Sequence, residues 1–209
     1  RSPPNVDYPD FPVVAPQSPT PGTAEMTQRL DEAYAYTSNI FLRDNGPTGG
    51  PPDPRTLFDV HEIVIPDVGA SYTNTSPAMD PFLVMEDQNV RVTATLVPHG
   101  PVFPAFAFRF DTAHGSVTFS GDTSLSENLD RLALGTDTLV HEAINVRGGN
   151  LPPAMIEHNL ESHVEVQVVG QVAERAGAER LVLTHLGDYS GVVDVRQWHD
   201  WAQEGYGGD

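Results

Sequence analysis

Four stretches of β-branched and aliphatic residues each run straight into a histidine or an aspartate. That recurrence constrains the fold more than any other feature of the chain. Val117 to Ser120 ends at Gly121 and delivers Asp122, and Val90 to Pro98 delivers His99-Gly100. Thr138 to Val140 delivers His141-Glu142, and Leu181 to Thr184 delivers His185. Short runs of this composition, closed by turn residues, read as strands. Open α/β sheets hold their ligands beyond the carboxyl ends of such strands. If the four share a sheet and a direction, three imidazoles and a carboxylate collect on one edge. That is a donor set suited to a borderline-soft divalent metal such as zinc.

Between the strands the periodicity turns helical. Ser126 reads as the N-cap of a helix with Leu129, Leu132 and Ala133 on one face. Ser162 and Glu165 have capping-box spacing, so a helix is expected from Ser162, carrying Val168, Val172 and Ala176 and closed by Gly177. Asp194 caps a last helix bearing Trp198 and Trp201. A hairpin joins Ala105 to Phe110 with Val117 to Ser120. Towards the N-terminus, residues 1–22 read as an extended loop, followed by a helix from a Thr23 cap to about Ser38. A Gly/Pro loop is expected over 45–54, a strand over 58–65 and a short strand over 82–85. With no repeat and no interdomain linker, residues 1–209 are expected to form one α/β (α+β) domain, with helices packed on a sheet.

Composition narrows the function. A formal charge of -18, with eleven arginines and no lysine, leaves no basic stripe to track phosphates, so nucleic acid is expected not to be a partner. The absence of cysteine removes disulfides and thiolate ligands. No apolar run approaches a membrane span, so a soluble protein is expected, cytoplasmic or exported.

The strand-end residues suggest distinct roles. Asp122 can bridge two metal ions with its two oxygens, while His99 and His185 take terminal positions through neutral nitrogens. His163, beside the Ser162 cap, is a proton donor to a leaving group if a carboxylate steadies it. His141-Glu142 can form a supporting pair, with Glu142 orienting a ligand or His163. Plainer readings stand beside these: Asp after Gly often caps a turn, and a histidine at a strand end often bonds only its loop. His61, His114, His158 and His199 are read as loop or surface residues.

The stretches Val97 to Gly100, Ala105 to Phe110, Phe119 to Thr123, Leu139 to Ala143, Ser162-His163 and Leu181 to Leu186 follow one another in a familiar order. Together they resemble the C-terminal two-thirds of a metallo-β-lactamase-fold hydrolase, on the branch of ribonuclease Z and the arylsulfatase-like enzymes. The resemblance implies an αββα sandwich and a dinuclear site holding two divalent metal ions, usually zinc. It makes His99, Asp122 and His185 metal ligands and His163 the proton-transfer residue, with His141 and Glu142, of the His-Glu-Ala-Thr-type motif, in support. The family's His-x-His-x-Asp-His motif is absent from these residues. The sandwich is therefore expected to be incomplete at the N-terminus, with a separate N-terminal segment or chain completing the site.

The expected activity is hydrolysis of a small ester-like or phosphodiester substrate by metal-activated water. A tRNA 3′-processing endonuclease and a catalytically degenerate binding or assembly module are the alternatives. A homo-oligomer stays open.

Overall fold

The computed structural model describes residues 22–44 and 58–209, which fall in two compact units, Arg1–Ile65 and Pro66–Asp209. In the first unit, helix α1 spans Thr23–Asp44, six residues beyond the expected end at Ser38. Nothing in the sequence breaks a helix between Ser38 and Gly46-Pro47, so propagation continues at little cost. Thr23 is not the cap. The Glu62 carboxylate accepts from the backbone N–H groups of Thr23 (3.1 Å) and Ala24 (2.8 Å), which places a negative charge at the helix N-terminus. The strand expected over 58–65 does not form. Its alternation had no clean polar face, and Glu62 serves the helix rather than a ladder. Apart from Gly22, the loops expected over 1–22 and 45–54 lie outside the described residues.

The second unit is a six-stranded sheet in sequential order. It comprises β1 (Phe82–Glu86), β2 (Val90–Leu96), β3 (Phe106–Thr112), β4 (Gly115–Phe119), β5 (Thr138–Asn145) and β6 (Arg180–Asp188). Strands β1 to β4 pair antiparallel, β1 to β2 and β3 to β4 through short turns and β2 to β3 through the longer loop 97–105 that carries His99. Pairing becomes parallel from β4 to β5 and from β5 to β6, where helices make the crossovers. Four helices accompany the sheet: α2 (Glu127–Ala133), α3 (Pro153–Leu160), α4 (Val166–Ala176) and α5 (Val195–Ala202).

Helix α2 starts where expected: the Ser126 hydroxyl accepts from Leu129 N at 3.2 Å. Its Leu129, Leu132 and Ala133 join Val97, Ala107 and Leu139 of the sheet and Val172, Ala173 and Ala176 of α4 in one buried cluster. Each fully buried aliphatic side chain there contributes about 1.5–3 kcal/mol. A second cluster joins Ala143, Val166 and Val169 to Trp198 and Ala202 of α5. Asp194 caps α5 by accepting from the N–H groups of Arg196 and Gln197, and Gly177 ends α4 in the left-handed region, both as the sequence indicates.

The capping box at Ser162 is not used. Helix α4 begins at Val166, because residues 162–164 are committed elsewhere. The N–H groups of Ser162 and His163 donate to the Asn159 carbonyl, while Val164 exchanges bonds with β5 through Glu142 and Ile144. Helix α3 was not foreseen, although Pro152-Pro153 before Ala-Met-Ile carries the signature of proline in a first helical turn.

Candidate metal centre

Each strand-end residue is placed by a different local device. Beyond β2, His99 lies in a turn whose next residue, Gly100, has φ +48° and donates its N–H to the Glu161 carbonyl at 3.1 Å. A Cβ at Gly100 would lie 2.6 Å from the Ser162 hydroxyl oxygen, so only glycine lets the His99 turn close on the segment bearing His163. Beyond β4, Gly121 has φ +61°, and a Cβ there would lie 2.5 Å from the Phe106 carbonyl oxygen. The chain thus turns tightly against β3 and presents Asp122 at the strand tip.

His185 arrives by a bulge. The β5–β6 register pairs Glu142 with Thr184 and then Ala143 with Leu186, so His185 is the extra residue. Its φ of +46° is the only positive value at a non-glycine among the described residues. A bulge of this kind re-aims one side chain. Here the imidazole Nε2 comes to 3.0 Å from Asp122 Oδ2.

His163 stands between the other two rings, with centroids 5.3 Å from His99 and 5.6 Å from His185. Beneath it Glu142 is 1% exposed. Glu142 Oε2 lies 3.2 Å from His163 Nδ1, Oε1 accepts from Val164 N at 2.7 Å, and its own N–H donates to the Ser120 hydroxyl at 3.0 Å. The imidazole is thereby fixed in orientation from below.

Burial dominates the electrostatics. It pushes the Glu142 carboxyl up to about 8, with the Asp122 charge adding to the effect against the Val164 and Thr123 amides. Burial likewise lowers His163, opposed by Asp122 and reinforced by His99, His185 and His158. His141 is lowered to about 4 by complete burial and is neutral at physiological pH.

Donor atoms of His99, Asp122 and His163 all lie within 4.8 Å of one another, and His185 joins them through Asp122. Convergent imidazole nitrogens around one carboxylate fit a divalent ion of intermediate softness. Five of the six residues singled out in the sequence therefore meet in one place. His141 does not. Its side chain points away from that of Glu142, as successive strand residues must, and its hydrogen bond is to the Glu142 carbonyl. The structure adds contacts that no sequence spacing announced: the Gly100–Glu161 bond, the Ser120 prop under Glu142, and His158, whose charge reaches His163.

No family model matches the chain. The chain is 30% identical over 199 residues to a putative ribonuclease Z of Mycobacterium tuberculosis, an alignment covering 95% of this chain and 78% of that protein. A ribonuclease Z from another strain of the species shows the same identity over 199 residues; the chain covers 64% of that relative's length. Among solved structures, the metallo-beta-lactamase fold protein YhfI from Bacillus subtilis overlays with a TM-score of 0.48 at 22% identity, covering 61% of this chain and 47% of that one.

A mixed sheet with a histidine and aspartate cluster at its strand ends gives an α/β protein a candidate metal site. By its likeness to the Mycobacterium tuberculosis proteins the chain belongs to the ribonuclease Z family, a branch of the metallo-β-lactamase-fold hydrolases. No helix among the described residues is long and apolar enough to cross a membrane.

Proposed function

We propose that this chain forms part of a metal-dependent hydrolase that cleaves a phosphodiester or ester-like bond by attack of water. The observation that carries the reading is the convergence of His99, Asp122, His163 and His185 above buried Glu142. His99 and His185 would be terminal ligands and Asp122 the bridging one, with zinc the best match to the donors and two ions the expected number. When bound, the ions supply Lewis-acid polarisation and lower the pKa of a coordinated water.

The chain's own residues do the rest. Glu142 engages His163 at Nδ1, which leaves Nε2 as the nitrogen for proton transfer. As the bond from the reacting centre to the leaving oxygen breaks, His163 delivers its proton to that oxygen. The proton released by the attacking water restores the imidazole. Burial keeps Glu142 and His163 in a low-dielectric setting where their contact is strong.

RNA returns as a substrate class under this reading, which corrects the expectation drawn from charge. The relatives' name, ribonuclease Z, favours it. Net charge is a sum over the chain, whereas gripping a phosphate needs only local positive potential. An RNA phosphodiester is therefore the second reading beside a small ester or phosphodiester.

The test is full-length protein prepared with zinc, assayed for metal content and on a chromogenic phosphodiester beside a precursor tRNA at two salt concentrations. At least one equivalent of metal and hydrolysis that Asp122→Ala abolishes are expected. Less than one equivalent of metal after zinc-supplemented preparation overturns the proposal and returns the binding-module reading. Salt-sensitive tRNA cleavage exceeding that of the small substrate ranks RNA first.

A further inference from the structure

His141 has no part in that reaction, yet it is wholly buried in the strand that carries Glu142. Its Nδ1 lies 2.6 Å from the Glu142 carbonyl oxygen. A carbonyl only accepts, so Nδ1 bears the proton. In the neutral ring Nε2 is then a bare acceptor, and it has no hydrogen-bond partner among the described residues. A buried unsatisfied polar atom calls for an explanation. Leucine would fill the space without leaving one. What the imidazole adds is a donor directed at one backbone carbonyl.

That carbonyl sits where the parallel ladder slips. Pairing runs in step through His141 opposite Leu183 and Glu142 opposite Thr184, then skips His185 before Ala143 meets Leu186. At the skip the His185 backbone enters the left-handed region, which few non-glycine residues occupy, histidine more readily than most. Such a conformation persists only where the surroundings over-determine it. On one side the holding contact is His185 to Asp122; on the other, the strand facing the bulge is pinned by His141.

We infer that His141 is the positioning residue of this bulge: by donating to the Glu142 carbonyl it fixes β5 where pairing skips, and so aims His185 at Asp122. It also holds the peptide on which Glu142 is mounted, so one hydrogen bond steadies both the ligand and the prop beneath His163. The consequence for metal binding rests on the proposed function; the geometric claim does not.

Two variants of the full-length protein test it. His141→Leu removes the donor and keeps the bulk. His141→Asn keeps an N–H near the position of Nδ1. Cobalt(II) affinity, read from its visible absorption against a competing chelator, is expected to fall about ten- to a hundredfold in the Leu variant and to recover in the Asn variant, as for supporting contacts at metal sites. The thermal midpoint of the Leu variant should change little, since removal of the orphaned Nε2 acceptor offsets loss of the donor to the Glu142 carbonyl. In metal-free protein, the His185 side-chain ¹⁵N resonances are expected to shift in the Leu variant and to return in the Asn variant. Wild-type protein that takes up no cobalt while those resonances still shift would refute the metal reading and leave the positioning role standing. Unchanged resonances in the Leu variant, or a Leu variant that binds cobalt like wild type, overturn the inference.

Discussion

The antiparallel half of the sheet, β1 to β4, differs from the parallel half, β5 and β6, in what its irregularities do. From Val90 opposite Thr112 to Leu96 opposite Phe106, β2 and β3 pair without a break. The one slip in that half falls between Leu83 and Met85 of edge strand β1, where both side chains are exposed. The slip in the parallel half falls beside Glu142 and directs His185. A bulge at an edge turns the chain out of the way of further pairing; the bulge at His185 sets an imidazole against Asp122. Buried ionisable groups follow the same division, with His141 and Glu142 both on β5. The first half pairs regularly, while the second carries irregularity and buried ionisable groups beside the candidate site.

The hardest blow to this comparison falls at the joint between the halves. Asp122→Ala should cost roughly a thousandfold in kcat, the several kcal/mol expected if it is the metal ligand proposed above. It should leave the circular dichroism spectrum intact; a fold lost along with activity would mean the site and scaffold are not separable. Next is Leu132→Ala, in the helix packed on β2 and β3 and 2% exposed. It should lower stability by about 2–5 kcal/mol in urea unfolding while hydrolysis per folded molecule stays constant. Glu142→Gln has the reverse profile: about a ten- to hundredfold loss of activity with little change in unfolding midpoint. If Gln were fully active, the buried carboxyl in β5 would need another purpose.

The smallest effect is acid sensitivity. Asp137, just before β5, is held below its ordinary 3.8 by the Ser116 backbone N–H and hydroxyl. At the far end, burial works against ionisation of Asp188, but bonds from Ser190, Trp198 and Asn145 outweigh it and lower its pKa. A depressed folded pKa gives stability that is present above the unfolded value and lost as pH falls through the folded one. Stability should therefore decline below about pH 3.8, with amide exchange in β5 and β6 rising first. Asp137→Asn should remove part of that dependence.

The strand ends were legible because composition and turn residues are local: Gly121-Asp122 and Ser126 behaved as their neighbours dictate. The capping box at Ser162 misled because a local signal met a stronger non-local demand, the Val164 bond to Glu142. The cap of α1 came from Glu62, thirty-eight residues from Ala24, and no short window contains that contact. At the site, residue types gave the donors but not the means of aiming them. The extra residue in β6 leaves no mark in the Leu181 to Leu186 pattern, since a bulge exists only relative to the strand beside it.

That extra residue is absorbed where it stands and leaves the pairing beyond it in step. With His185 looped out, Asp188 comes level with Asn145, whose amide lies 3.3 Å from each of its carboxylate oxygens, and the Trp198 indole donates to Asp188 at 2.8 Å. Thr184 opposite Glu142 and Leu186 opposite Ala143 already take alternate faces, so deleting His185 would straighten β6 and leave Leu186, Gly187 and Asp188 on their present faces. Helix α5 would keep its mooring while the edge lost its imidazole. The bulge thus lets the reacting edge carry an added side chain without re-spacing the strand that moors the helix behind it.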